Sequence, residues 1–252
     1  TGALTIAISE PVHRHLQERF GVPAERIRLI FNGVDPHHFA QVPDADQTYR
    51  FRQAHGIPVD APVIGSVGRL AAGGVKGFDV LLAAAKRLES RVPDLHVVIC
   101  GDGPRRPALE DIARQLGLED RVHFTGEADD VRIPLALMDV FVFPVRWPEG
   151  FGLALIEAMA AGKPVVASRV GAVPDIMEHG CHGLLAESDD ASGVADHVEW
   201  MLAHPDEARR MGFAGQRQVQ QRFTLERMAE QIEAVYREAS MTDRMVWAAA
   251  GR

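Results

Sequence analysis

The sequence predicts an α/β protein built on a parallel sheet with helices on both faces. Three observations carry this expectation. Short runs rich in Val, Ile and Phe alternate with helix-patterned stretches along most of the 252 residues, the alternation that crossover connections require. The strand runs are apolar nearly throughout, as in strands buried on both faces. Glycine-rich and charged segments follow the strands, which is where ligands bind in such sheets.

Taken in order, Leu4–Ile8 reads as a short strand, Ser9 as an N-cap and Glu10–Phe20 as a helix. A second strand, Ile27–Ile30, ends in the turn Asn32-Gly33-Val34-Asp35. The polar, proline-bearing stretch Gln41–Gln47 suits a surface connection. Six further strands are predicted at Val63–Val67, Leu95–Cys100, Val122–Thr125, Val140–Phe143, Pro164–Ala167 and Gly183–Ala186. Between them lie helical stretches at Phe78–Ser90, Arg106–Leu116, Val131–Met138, Leu153–Ala161 and Ala191–Ala203. Right-handed crossovers turn this order into a doubly wound, Rossmann-like sheet. Pro205–Arg222 and Leu225–Glu238 read as two more helices, and Ser240–Arg252 has little pattern and is expected to fray.

Composition narrows the function. A hydrophobic content of 46% and a charged content of 25% are those of a globular protein. The net charge of −8 argues against a nucleic-acid binder, whose affinity rests on Lys and Arg, and lends no support to electrostatic membrane attachment. No apolar run is long enough to span a bilayer. Cys100 and Cys181 are the only cysteines, so a reducing, cytoplasmic compartment is the simplest reading. The start at Thr1, with no Met and no signal segment, suggests a fragment or a processed chain.

The most informative stretch is Pro148-Glu149-Gly150-Phe151-Gly152-Leu153-Ala154-Leu155-Ile156-Glu157-Ala158-Met159-Ala160-Ala161-Gly162. Its helix of Leu, Ile, Met and Ala has no polar face, so it is buried on nearly all sides. Glu157 in its middle needs either an internal partner or a cleft that a ligand fills. Glu149 lies just before the free N–H groups of the helix start, an anion site. Five helical residues, about 7–8 Å of rise, separate Gly152 from Glu157. That matches the reach from a pyrophosphate to ribose hydroxyls, and a carboxylate is a two-oxygen acceptor suited to a vicinal diol. A nucleotide-sugar fits this layout; the plainer alternative has Glu149 capping the helix and Glu157 paired with a core arginine.

Gly68-Arg69-Leu70 and Lys76-Gly77-Phe78 flank a small loop after the first core strand. Arg and Lys clamp phosphate, one as a planar fork and one as a point charge, so the pair reads as a pyrophosphate clamp. Gly101-Asp102-Gly103-Pro104 raises the dinucleotide fingerprint, but Arg occupies position 106 where its third glycine belongs. A nicotinamide or flavin dehydrogenase is therefore a weak reading. Asp44-Ala45-Asp46 matches the two-acid pattern of metal-dependent sugar transferases, yet falls in the polar stretch and reads as solvated linker. His179-Gly180-Cys181-His182 has the spacing of a turn, not of a zinc site, and His37-His38 is no better as a set of ligands. No metal site is predicted.

Taken together, these motifs resemble the C-terminal, donor-binding half of GT-B glycosyltransferases, specifically the large family 4 ("group 1") of retaining nucleotide-sugar transferases. The likeness runs from Asn32-Gly33-Val34-Asp35 to the terminal helix, with Glu149 and Glu157 as its paired acids and Gly171-Ala172-Val173-Pro174-Asp175 as a further landmark. The resemblance implies residue roles. Arg69 and Lys76 would hold the diphosphate with N–H groups at Gly152 and Leu153, and would act with Glu149 as the catalytic set. Glu157 would bind the ribose and Glu149 the donor sugar, while Thr125, Gly126 and Val131 would border the base. Gly68, Gly103, Gly150 and Phe151 complete the implied substrate contacts. The reaction would be transfer of a hexosyl group from a UDP- or GDP-sugar, with retention and with no cofactor or obligatory metal. The acceptor would be a glycan or glycolipid of the cell envelope.

The resemblance also divides the chain. Residues 1–40 would be the end of an N-terminal domain and the interdomain crossing, 41–222 the nucleotide-sugar-binding domain, and 223–252 a helix and tail packing toward an absent acceptor-binding half. A full-length enzyme would be cytoplasmic, with peripheral contact at the inner face of the membrane. The isolated chain would be inactive or nearly so. Two other readings use the same pocket: a non-catalytic nucleotide-sugar-binding module, and a GT-B sugar-nucleotide epimerase.

Overall fold

The β-branched runs do form strands, and their alternate residues feed two separate cores. The computed structural model describes residues 4–146 and 149–250. Six parallel strands are β3 (Val63–Val67), β4 (His96–Cys100), β5 (Val122–Gly126), β6 (Val140–Phe143), β7 (Val165–Ser168) and β8 (Leu184–Ala186), in the order β5-β4-β3-β6-β7-β8. Ile64, Val97, Ile99, Val140, Val142 and Val166 enter one core, against helices α4 (Phe78–Leu88), α5 (Arg106–Gln115) and α9 (Ala191–Ala203). Val63, Val98, Phe141, Phe143, Val165 and Ala167 enter the other. That second core packs on α6 (Arg132–Leu137), α7 (Leu153–Ala160), α8 (Val173–Ile176) and the end of α10 (Pro205–Arg222). Strand period two and helices on both faces make this the expected doubly wound sheet.

The strand order reverses between β3 and β6. From β3 the chain winds outward to β4 and β5, then returns to lay β6 on the other side of β3. The crevice beyond the carboxyl ends at such a switch point is where open α/β sheets take ligands. Here the flanking segments are 68–77 after β3 and 144–152 after β6. They touch closely: Gly77 has φ 64° and a Cβ there would collide with the Pro144 carbonyl oxygen, so only glycine fits.

The first residues form a separate parallel pair, β1 (Thr5–Ala7) with β2 (Ile27–Leu29), linked by α1 (Glu10–Phe20). Ser9 caps α1 and Gly21 closes it in the left-handed conformation, its N–H reaching Gln17 O and that of Val22 reaching Leu16 O. The chain that leaves this unit is held where the Val34 N–H donates to Phe223 O (2.9 Å) and the Leu225 N–H to Val34 O (3.0 Å).

Several sequence expectations change. The stretch Gln41–Gln47 is not simply a connection: Asp44 is the N-cap of α3 (Ala45–Ala54), accepting from the Asp46 N–H at 3.0 Å, while the Gln47 side chain accepts from the Asp44 N–H at 3.1 Å. That reciprocal capping box is why a helix starts in so polar a segment. A short α2 (Pro36–Ala40) precedes it, capped by Asp35, and α8 interrupts the loop after β7. The tail also differs, since α11 runs Leu225–Ala250. No Gly or Pro breaks that span, and its Ala, Glu, Met and Arg are strong helix formers; Gly251 and Arg252 lie outside the described residues. Strand and helix ends otherwise shift by a residue or two. No helix among the described residues is long and apolar enough to cross a membrane.

Candidate functional site

Lys76 and Glu149 meet at the switch point. The Lys76 ammonium donates to Glu149 Oε2, with the two side chains 27% and 18% exposed. The Lys76 chain passes over Gly68, and its Nζ stands 5.8 Å from the centre of the Phe143 ring at the end of β6. Arg69, next to Gly68, is exposed and forms no ion pair among the described residues. Of the two cations, one is thus committed to an acid and the other is not.

Beyond Glu149 the chain turns through Gly150, Phe151 and Gly152 into α7. Gly152 has φ 110° and supplies no side-chain cap, which leaves the first N–H groups of α7 without the usual side-chain acceptor. Phe151 is buried against Phe31 (6.0 Å between ring centres) and Phe223 (5.8 Å), while Leu153 is 49% exposed. Glu157 has no ion-pair partner among the described residues, and burial pushes its carboxyl above the usual range. Neither half of the plainer alternative holds: Glu149 pairs with Lys76 instead of capping the helix, and no arginine among the described residues reaches Glu157. Pro148, the first residue of the acidic motif, lies outside the described residues.

The segment after β4 buttresses the clamp. Leu70 N–H donates to Asp102 O at 2.9 Å and Arg105 N–H to Leu70 O at 3.0 Å. A Cβ on Gly103 would strike the Leu70 backbone. The Gly103 N–H and the Arg106 guanidinium hold the Asp102 carboxyl below its ordinary range. Thr125 and Gly126 end β5, and Gly126 O accepts from the Gly101 N–H at 2.7 Å. They stand two strand positions from β3, about 10 Å, a distance a nucleoside spans. Val131 starts α6, beside the Asp130–Arg132 ion pair. The structure therefore gathers Gly68, Arg69, Lys76 and Glu149 to Leu153 at one end of the sheet. Gly103 sits behind them, and Thr125, Gly126 and Val131 lie to one side.

Sequence reasoning missed three supports of this edge. Ser9 Oγ donates to Gly150 O at 2.7 Å across 141 positions. Asp79, in the first turn of α4, is held by the Arg146 guanidinium at 2.7 and 2.8 Å and by Arg105 at 3.3 Å. Arg146 also pairs with Asp189, and its N–H donates to Val75 O at 2.9 Å. Each joins segments far apart in the chain, so no local pattern marks it; only the charge of Arg146 close to the acidic motif was visible.

The other candidates are structural. Among the described residues no group of three or more His, Cys, Asp or Glu side chains is placed to hold a metal. The Glu178 N–H donates to His182 Nδ1 (3.1 Å) and the Leu185 N–H to His179 Nδ1 (2.9 Å), so the His-Gly-Cys-His stretch is a turn. His197 Nε2 reaches the Leu185 carbonyl at 3.2 Å. Cys100 is buried and Cys181 exposed, both free. A cavity of about 430 Å³ lies by α8, lined by Asp175, His182 and Arg222 among others. A larger one of about 940 Å³ opens at the opposite edge of the sheet, around Lys163, Asp139 and Phe213. Neither includes the Lys76–Glu149 pair.

Comparison with known proteins is consistent over nearly the whole chain. A family model described as "Glycosyl transferases group 1" matches residues 47–218, and one described as "Glycosyltransferase Family 4" matches residues 2–38. The GDP-mannose-dependent alpha-(1-6)-phosphatidylinositol monomannoside mannosyltransferase of Mycolicibacterium smegmatis is 35% identical over 81% of this chain and 55% of its own length. The alpha-D-kanosaminyltransferase of Streptomyces kanamyceticus is 31% identical over 95% of this chain and 61% of its own. Among solved structures, Anabaena Alr3699/HepE in complex with UDP-glucose superposes with a TM-score of 0.85 at 26% identity, covering 94% of this chain and 64% of that one. The chain thus spans little more than half the length of these curated relatives.

Proposed function

The chain belongs to the group 1 glycosyltransferase family, and on that premise we propose that it is the donor-binding part of a retaining hexosyltransferase using a UDP- or GDP-sugar. The observation that carries this reading is the pairing of Lys76 with Glu149 at the switch point, beside a helix whose Glu157 has no ion-pair partner among the described residues. In the reading, the diphosphate lies across the open N-terminus of α7 and is held by Arg69 and Lys76. Glu157, five residues into α7, accepts both hydroxyls of the ribose diol. Glu149 faces the sugar, and the base extends toward Thr125, Gly126 and Val131.

The chemistry follows from where charge develops. As the glycosyl bond breaks, negative charge grows on the departing diphosphate oxygens. Two cations and the α7 N–H groups stabilise it where it forms. The Lys76–Glu149 pair is the resting arrangement, in which each charge offsets the other until a donor supplies phosphate for one and hydroxyls for the other. We assign the neutralisation to these groups without a required metal, because the acid-x-acid stretch at Asp44 is occupied as a helix cap.

In this reading the acceptor is bound outside this chain, which the match to little more than half of the curated relatives' length supports. Relatives named for GDP-mannose and structures solved with UDP and UDP-glucose support a nucleotide-sugar donor. The phosphatidylinositol monomannoside in one relative's name supports a glycolipid acceptor; in this reading the acceptor is a glycan or glycolipid of the cell envelope, met at the cytoplasmic side of the membrane. In this reading residues 1–40 and 223–252 belong to the junction with an acceptor-binding half. Without that half, water enters the cleft and positioning is lost, so the chain binds donor but transfers little. Calorimetry with UDP, GDP, UDP-glucose and GDP-mannose tests the proposal; no binding of any of the four at millimolar concentration overturns it.

A further inference from the structure

The loop that carries Glu149 is fastened from outside the six-stranded sheet. Ser9 is fully buried at the junction of β1 and α1. Its hydroxyl donates to the Gly150 carbonyl at 2.7 Å, an ordinary length, and accepts from the Val12 N–H at 3.4 Å, a long one. The hydroxyl proton is therefore committed to the loop, and the helix-capping role is the weaker of the two. Two further contacts support the junction. The Ile8 side chain approaches Gly150, and Phe31 packs on Phe151.

The loop needs such a tether. Two of the three residues between Glu149 and α7 are glycines, which carry the greatest backbone freedom. Phe151 anchors one side of the loop in the aromatic trio, and on the other side the Gly150 carbonyl is held by Ser9. The unit β1–α1–β2 shares no strand with the six-stranded sheet, so its position and that of the sheet are set separately.

The geometry points to Ser9 as a positioning residue: its hydroxyl ties the Glu149–Gly152 loop to the β1–α1–β2 unit, so the orientation of Glu149 toward a donor sugar follows that unit. This rests on the nucleotide-sugar reading of the site. Arg69, Lys76 and the α7 N–H groups hold the diphosphate from other elements. Loss of the tether therefore touches the sugar and spares the nucleotide.

The test compares the chain with Ser9→Ala and Ser9→Thr. Each is titrated with UDP and UDP-glucose, or with GDP and GDP-mannose, whichever pair the unaltered chain binds. Ser9→Ala loses about fivefold in affinity for the nucleotide-sugar, the size of one neutral hydrogen bond, and under about twofold for the bare nucleotide; Ser9→Thr restores the difference. Equal losses on both ligands, or none on either, overturn the role. Amide exchange in the free chain reads the tether without any ligand. Ser9→Ala speeds exchange at Phe151–Leu153 relative to Ser9→Thr, and unchanged exchange overturns the tether. Absence of all nucleotide binding in the unaltered chain, with exchange responding as expected, removes the donor-site reading and leaves the tether standing. If Ser9→Ala does not fold, Ser9→Cys, a weaker donor of similar size, is read in the same two assays.

Discussion

Lys76 and Glu149, 73 positions apart, share an ion pair at the place where the strand order reverses. The backbone sets it up: the Arg146 N–H donates to Val75 O, so the residue three before Glu149 is in register with the one before Lys76. The pair is a product of topology, and each member is the other's nearest compensation for partial burial.

Lys76→Ala leaves the Glu149 carboxylate partly buried and unpaired. We expect about 1–2 kcal/mol of lost stability and at least a tenfold loss of affinity for UDP or GDP. Glu149→Gln should keep the nucleotide and lose what the sugar adds. Denaturant unfolding of both single variants and the double variant measures the coupling; additive effects would mean that the pair contributes nothing in solution.

Glu157→Gln separates stability from binding. Burial raises the Glu157 carboxyl, so the folded chain holds its proton more tightly than the unfolded one. A raised folded pKa contributes stability that is present below the unfolded value and lost as pH rises through the folded one. At neutral pH the ionised group is therefore a burden on the free chain. The neutral isostere should raise the thermal midpoint slightly while weakening nucleotide binding by about 1.5–3 kcal/mol, the range for a charge-assisted contact. A lowered midpoint together with unchanged affinity would return Glu157 to a structural role.

His123 makes the fold sensitive to acid. Its ring lies stacked on His96 with ring nitrogens 2.8 Å apart, and burial, aided by His96, pushes it down to about 4. A lowered folded pKa means the unfolded chain binds the proton first, so stability is intact above about 6.5 and falls as pH drops toward 4. His123→Gln should flatten that part of the profile. Thermal midpoints between pH 4 and 7 check it, and parallel slopes for the two proteins would count against it.

The fold was legible where hydrophobic period alone decides structure. Val63–Val67 and Val140–Phe143 are apolar runs bounded by turn residues and became strands at those positions. Glu157 was legible too, because a carboxylate inside an apolar helix poses a question that only a partner or a cleft answers. Asp44 was misread although its signal was present: the Asp-x-x-Gln capping box lies in the sequence, but polar composition outweighed it. Ser9 was recognised as a cap and not as a tether, since a hydroxyl's second hydrogen bond depends on what the fold brings within reach. The Arg146–Asp79 pair was hidden for the same reason, whereas Lys76 and Glu149 were expected at one site and only their direct ion pair was not.

The last strand of the sheet carries a consequence of its own. At its centre, Leu185 has its amide taken by one imidazole, from His179, and its carbonyl by another, from His197. A free border strand invites another molecule to continue the ladder. Here both docking points at the midpoint are already filled by side chains of the same molecule, so the sheet stops with itself. Replacing both histidines with alanine would leave that amide and that carbonyl without their side-chain partners at the border.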